Sequence, residues 1–256
     1  MMLNPSLFNT RLYRSILNLW FQDVPSHASS VPPPVLARWY GYSPEAKAFD
    51  AQCSSTAREA LLSIAPSRYT LPTPTESGSP ATSPIAEPFL AQLSSSRPDE
   101  ANLAPEQIGL ALIILLDQCS RNCFRDSQKD IYTHYDRIAR GVLRALMARE
   151  LDTHDRYRDL PAWRLWFYMP LTHSESLRDH DMFGEKLVEM RKSMEAKGDG
   201  DAVAHVDLAL GFEKRHRVII EKFGRYPHRN KMMARESTDE ERDYLENGGE
   251  TFGTSG

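Results

Sequence analysis

The sequence predicts an all-α fold: a domain of antiparallel helical hairpins. Three observations carry the prediction. Apolar residues recur at helical spacing through most of the 256 residues, and almost no alternating strand pattern survives beside them. The prolines after Pro105 (Pro161, Pro170 and Pro227) stand only where a helix could start or stop. The longest apolar run, residues 108–116, is apolar all round, as expected of a helix enclosed by others.

Each element follows from local chemistry. Leu12, Ile16, Leu17, Leu19 and Trp20 form one face of a first amphipathic helix. Pro32, Pro33 and Pro34 mark a break. Pro105 stands one step inside a helix start, with Glu106 and Gln107 in the first turn, where the helix dipole favours acids. Ile138, Val142, Leu146 and Met147 share a face of a helix over residues 135–150. Pro161 opens a short aromatic helix that is expected to stop at Met169 and Pro170. Thr172, His173, Ser174 and Glu175 fit a capping box for the next helix, which carries Met182, Phe183, Leu187 and Met190. A helix over 202–223 stops at Gly224, suited to a left-handed cap. Ser237 and Thr238, with Glu240 and Glu241 three residues on, begin the last helix.

Between residues 66 and 98, seven prolines and eleven serines or threonines fall in 33 residues. So few large apolar side chains cannot offset the entropy of ordering, and the stretch reads as a disordered insert. The expected organisation is one helical domain over 1–247, interrupted by that insert, and a flexible tail over 248–256.

Composition excludes several classes of protein. A net charge of −4 argues against a nucleic-acid partner. The apolar run 108–116 falls far short of the roughly 20 residues that span a bilayer, so no membrane partner is expected. Three cysteines cannot build a disulfide framework, which points to a reducing, cytoplasmic location. The first 22 residues hold Arg11 and Arg14 without an acid, as a mitochondrial presequence does, but Trp20 and Phe21 belong to a helix worth keeping. Cys119 and Cys123 are half a zinc site with no second pair, so neither metal nor cofactor is expected. No phosphate-binding glycine loop or nucleophile elbow is present.

The chemistry concentrates in polar clusters at helix ends. The first, Asp117, Gln118, Arg121, Asn122 and Arg125, follows the most apolar helix, and Asp117 can pair with Arg121 one turn on. The second holds His173 and Glu175, where a helix N-terminus would keep the imidazole neutral. The third, Arg225, His228, Arg229 and Asn230, occupies a helix-to-helix turn dense in donors. Residues 213–235 carry eight Lys or Arg against two acids, and 236–250 seven acids against one Arg. His216 with Arg217 is a fourth, weaker cluster.

Several strings resemble the domain-of-unknown-function 924 family. They are Ile16 to Phe21, Arg38 to Gly41, Phe49-Asp50, Leu110 to Gln118 with Arg121, Asn122 and Arg125, Phe167 to Leu171, His173 to Glu175, His216, Phe223 to Asn230, and Arg235 to Thr238. The resemblance implies a tetratricopeptide-like helical superhelix or bundle and supplies no reaction. Cys119 and Cys123 replace the family's aromatic or aliphatic residues. Ser176 and His180 stand where an acid and a glutamine are expected.

Three functions fit these residues. The first is a pocket in which Arg121, Arg125, Arg225 and Arg229 hold an anionic small molecule or peptide, oriented by Gln118, Asn122, His173 and Asn230. The second is a hydrolase or cyclase using His173 or His228 as its acid/base group. The third is a protein-interaction scaffold whose polar clusters tie helices together.

Overall fold

Pro105 opens the helix around which the others pack. In the computed structural model, which describes residues 2–41, 45–72, 84–94, 103–125 and 127–252, every described element is helical. The elements are α1 (Thr10–Trp20), α2 (Pro33–Trp39), α3 (Ala46–Ser63), α4 (Glu87–Leu90), α5 (Pro105–Ile113), α6 (Ser120–Cys123), α7 (Gln128–Asp130), α8 (Asp136–Met147), α9 (Asp155–Arg158), α10 (Pro161–Thr172), α11 (Leu177–Ala196), α12 (Gly200–Phe223) and α13 (Asp239–Glu246). A π-helical stretch, Ile114–Cys119, joins α5 to α6 into one continuous rod, and a second, Ile131–Tyr135, joins α7 to α8.

The rod is buried as its composition requires: Leu110 to Leu116 have no exposed surface. It is packed by α1, α3, α8 and α10. The rod meets α8 at Gly109, where a Cβ would lie 3.0 Å from Leu146 Cδ2. A side chain there would press on the Leu146 methyl groups. Beside the rod, Trp20, Trp39 and Trp166 make a mutual aromatic cluster, with centroids 6.0, 4.9 and 4.6 Å apart. The indole of Trp39 also donates to the Trp20 carbonyl, at 2.9 Å. This cluster fixes α1, α2 and α10 relative to one another.

The local signals are honoured at most helix ends. Pro105 is at the start of α5, and the Ala104 amide donates to Gln107 Oε1 at 3.1 Å. Gly224 ends α12 at φ +68°. Thr238 and Glu241 form a reciprocal capping box on α13. The chain turns from α11 to α12 over residues 197–199, with Gly198 at φ +69° and Asp199 capping α12, so these two helices form an antiparallel hairpin.

Four expectations need correction. Pro33 sits in the first turn of α2, where a missing N–H costs nothing, so the proline run opens a helix after the break. Helix α10 continues through Pro170 to Thr172, because Leu171 and Thr172 are buried and the Thr172 hydroxyl donates to Glu213 at 2.8 Å. No capping box forms at Thr172–Glu175: Ser176 caps α11 by position, and Glu175 is engaged elsewhere. Within the insert expected at 66–98, residues 84–94 form α4 and a 3-10 turn with Phe89 and Leu93 in the core. Two apolar side chains facing the core outweigh the low-complexity composition there. Residues 73–83 and 95–98 lie outside the described set.

Forcing a leucine into the α5–α8 crossing tests this packing. Gly109→Leu should cost about 1–3 kcal/mol in urea unfolding, the usual range for overpacking a filled core. An unchanged midpoint would show that the two helices do not touch at this glycine.

Candidate functional site

A cavity of about 200 Å³ opens between the end of the central rod, α2, α10 and α12. Its apolar wall includes Trp39, Trp166, Met169, Phe183 and Phe212. Its polar wall is Gln118, Arg121, Asn122, Arg125 and His173, with Arg215 and His216 from α12. The polar wall exists because the rod widens into a π turn at 114–119. That turn places the Asp117 carboxylate inside the protein, with no exposed surface.

A buried carboxylate must be compensated, and this one is on every side. His173 Nδ1 lies 2.9 Å from Asp117 Oδ1. Gln118 Nε2 donates to Oδ2 at 2.5 Å, and Arg121 reaches Oδ1 at 3.5 Å and the main-chain oxygen at 2.7 Å. Arg121 in turn makes two hydrogen bonds to the buried Asp136, at 2.8 and 3.0 Å. Burial alone would raise the Asp117 carboxyl, but the His173 and Arg121 charges and the hydrogen bonds from His173 and Gln118 bring it down to about 2. Burial, with Arg121 nearby, pushes the His173 imidazole below its ordinary value despite Asp117. The pair is therefore a carboxylate and a neutral imidazole at neutral pH. An ionised Asp117 can only accept, so His173 carries its proton on Nδ1 and leaves Nε2 with a free lone pair.

His173 does not gain its neutrality in the way expected. It follows the last residue of α10, at a helix C-terminus, where the dipole favours the cation. Burial and Arg121 supply the bias instead.

The remaining predicted residues divide in two. Gln118, Arg121, Asn122, Arg125 and His173 share the cavity wall. Asn122 donates to Asp50 at 2.7 Å, and Arg125 binds the same carboxylate at 2.5 and 2.8 Å. Arg225, His228, Arg229, Asn230 and Glu175 do not line the cavity. Arg225 forks onto Glu241 at 2.6 and 2.8 Å, and Asn230 donates to Glu241 at 3.1 Å. Arg229 lies between the rings of Tyr132 and Tyr226 and donates to the His173 carbonyl at 2.9 Å. Glu175 pairs with Arg235 at 2.7 Å and accepts from the Tyr226 amide. His228 is buried against Tyr226, with no carboxylate partner among the described residues. The expected four-arginine clamp is thus corrected: Arg225 and Arg229 are spent on fastening the 224–230 turn to α13 and α10. His180, which departs from the family pattern, is buried between Glu213 and the Ser174 carbonyl and does not reach the cavity.

Sequence reasoning missed the apolar wall. Trp39, Trp166 and Phe212 lie on three separate helices, and an aromatic on a helix face reads first as core. It also missed Arg215, and it ranked His216 too low.

These features define an all-helical protein whose central rod ends in a His–Asp pair beside an aromatic-walled cavity. The chain belongs to the family described as bacterial protein of unknown function (DUF924), whose model matches residues 16–249. It is similar in structure to a protein of unknown function, ATU0120, from Agrobacterium tumefaciens, at 25% identity and a TM-score of 0.53, covering 93% of this chain and 98% of the other. No curated protein matches the chain. Among the described residues, no helix is long and apolar enough to cross a membrane, and no group of His, Cys, Asp or Glu is arranged to hold a metal ion.

Buried histidines make the fold acid-sensitive. Burial lowers the imidazoles of His134 and His173, of His205 to about 4, and of His216 and His228 to about 3. Their unfolded forms take up protons as pH falls through about 6.5, while the folded forms do not. Stability is therefore fully present above pH 6.5 and drains away from there towards pH 3–4. Thermal unfolding should show a plateau above about pH 7 and a steady decline between pH 6.5 and 4. A stability maximum near pH 5 would contradict this assignment.

Proposed function

We propose that the cavity is the site of an acid/base enzyme acting on a small molecule. His173 Nε2 is the proton acceptor, and Asp117 orients the ring. The observation that carries this reading is the 2.9 Å contact between a wholly buried Asp117 and a histidine on the cavity wall. A neutral imidazole with its Nδ1–H tied to a carboxylate is the arrangement a general base needs: Asp117 stabilises the imidazolium formed when Nε2 takes a proton.

The lining narrows the reaction. Thr172 lines the cavity, but its hydroxyl donates to Glu213 and is not paired with His173. His173 therefore activates a water for hydrolysis, or deprotonates the substrate itself in a ring closure. Gln118 and Asn122 stand on the same wall to hold a polar group. The apolar wall takes the body of the substrate and keeps bulk water away from the base.

Capture of a free anion by Arg121 and Arg125 is disfavoured, because they already hold Asp136 and Asp50. The partner in this reading is a small molecule, not nucleic acid or a membrane, and the three free cysteines suit a cytoplasmic setting. The α11–α12 hairpin agrees with the tetratricopeptide-like relation that the family resemblance implies.

Incubating the protein with a metabolite library, read by mass spectrometry, tests the proposal. At least one compound should be consumed, and His173→Gln should slow its consumption by about 10²–10⁴-fold with the fold retained. Turnover unaffected by His173→Gln, or no turnover of any compound, would count against an acid/base role.

A further inference from the structure

Residues 248–252 are not the loose tail their composition suggests. After α13 the chain turns at Gly248, φ +79°, and the Glu250 amide donates to the Tyr244 hydroxyl at 2.8 Å. Two side chains then pack on α12 residues of the cavity wall, Glu250 on Arg215 and Phe252 on His216. The Glu250 carboxylate accepts from Arg215 Nε at 3.0 Å and from its terminal nitrogen at 2.8 Å. The Phe252 ring lies flat on His216, with centroids 3.6 Å apart and planes within 7°. Its edges approach Tyr226 at 6.2 Å and His228 at 6.1 Å. Arg215, His216 and Phe252 all line the cavity. Residues 253–256 lie outside the described set.

The two contacts differ in kind from the rest of the wall. Arg121 and Arg125 are neutralised by carboxylates of the helical body, whereas the ion-pair partner of Arg215 is carried on a short strap. Both partners of that pair are well exposed, with 48% and 34% of their side-chain surface accessible, so it is easily exchanged. Phe252 holds its seat at φ +53°, a left-handed conformation that a bulky side chain adopts only under strain. Burial keeps His216 neutral, with its imidazole lowered to about 3, so the stack is between two uncharged planes.

We infer that Glu250 and Phe252 are a tethered occupant of the cavity mouth, and that the exchangeable ligand carries the same two groups: an anion for Arg215 and an aromatic ring for His216. The class is an aryl-bearing carboxylate. When such a molecule binds, its carboxylate takes the Arg215 fork and its ring takes the face of His216. The strap is released from a strained seat, and the rest of the ligand extends along Phe212 towards Trp39, Trp166 and His173. The inference rests on the cavity being a ligand site, as proposed above, and not on proton transfer at His173.

The probe is 3-phenylpropanoate, titrated into the full chain and followed by the amide shifts of Arg215 and His216. Two half-probes, butanoate without the ring and 3-phenylpropan-1-ol without the charge, are run beside it. The double variant Glu250→Gln, Phe252→Ala should bind 3-phenylpropanoate about tenfold more tightly than the natural chain, since removing a competing closed state raises the competent fraction. Both half-probes should bind more weakly than the whole one, and Arg215→Ala added to the double variant should abolish the gain. Equal affinity in the natural chain and the double variant would overturn the tethered-occupant assignment. Binding that ignores Arg215→Ala, or a half-probe equal to the whole, would overturn the ligand class. Arginine- and strap-dependent binding of 3-phenylpropanoate by a protein that turns over no library compound would sink the catalytic reading alone, so its failure is separable from a failure of this one.

Discussion

The burial of the Asp117 carboxylate is the constraint on which the rest of the site depends. A charge with no exposed surface at the end of the most apolar helix must be matched, and removing one partner of such a pair costs about 3–5 kcal/mol. The match is built from three directions. Arg121 comes from one turn along the same rod and bridges to Asp136 at the start of α8. Gln118 is the next residue in the rod. His173 comes from the end of α10, which must run through Pro170 to deliver it. The carboxylate thus fixes the mutual position of the rod, α8 and α10, and the cavity opens where they meet.

Neutralisation of charge explains why the site looks different from an arginine clamp. Several arginines of the helical body already hold a carboxylate: Arg121 with Asp136, Arg125 with Asp50, Arg144 with Asp179, Arg225 with Glu241. These pairs join elements far apart in sequence and hold helix ends that apolar packing alone would leave loose. What they leave in the cavity is a wall of aromatic rings facing a neutral imidazole. That combination suits proton transfer on a molecule with an apolar body better than the capture of a free anion by the rod.

The fold was legible where its determinants are local. Pro105, Gly224 and the Thr238–Glu241 box mark helix ends because each acts within one turn. The buried character of residues 108–116 follows from composition alone. The reading failed where distant contacts decide. Pro170 looked like a stop, yet the buried Thr172–Glu213 hydrogen bond carries α10 two residues further and turns a helix start at His173 into a helix end. Residues 84–94 looked disordered, but Phe89 finds a place in the core. Five of the eleven predicted site residues, Gln118, Arg121, Asn122, Arg125 and His173, do share one wall, and Asp117 stands directly behind it. The partners that set their chemistry, Asp50 and Asp136, carry no local mark, because an acid 15 or 72 residues away declares itself only in three dimensions.

The tautomer and titration of His173 decide whether the cavity holds a base. Long-range 1H–15N correlation spectra of the full chain, with His173→Gln used to assign the signals, report both. The expected result is a neutral ring at pH 7 with the proton on Nδ1 and a pKa below the ordinary value of about 6.5. A ring protonated on both nitrogens at pH 7, or a proton resident on Nε2, would contradict it, because neither form offers a base to the cavity.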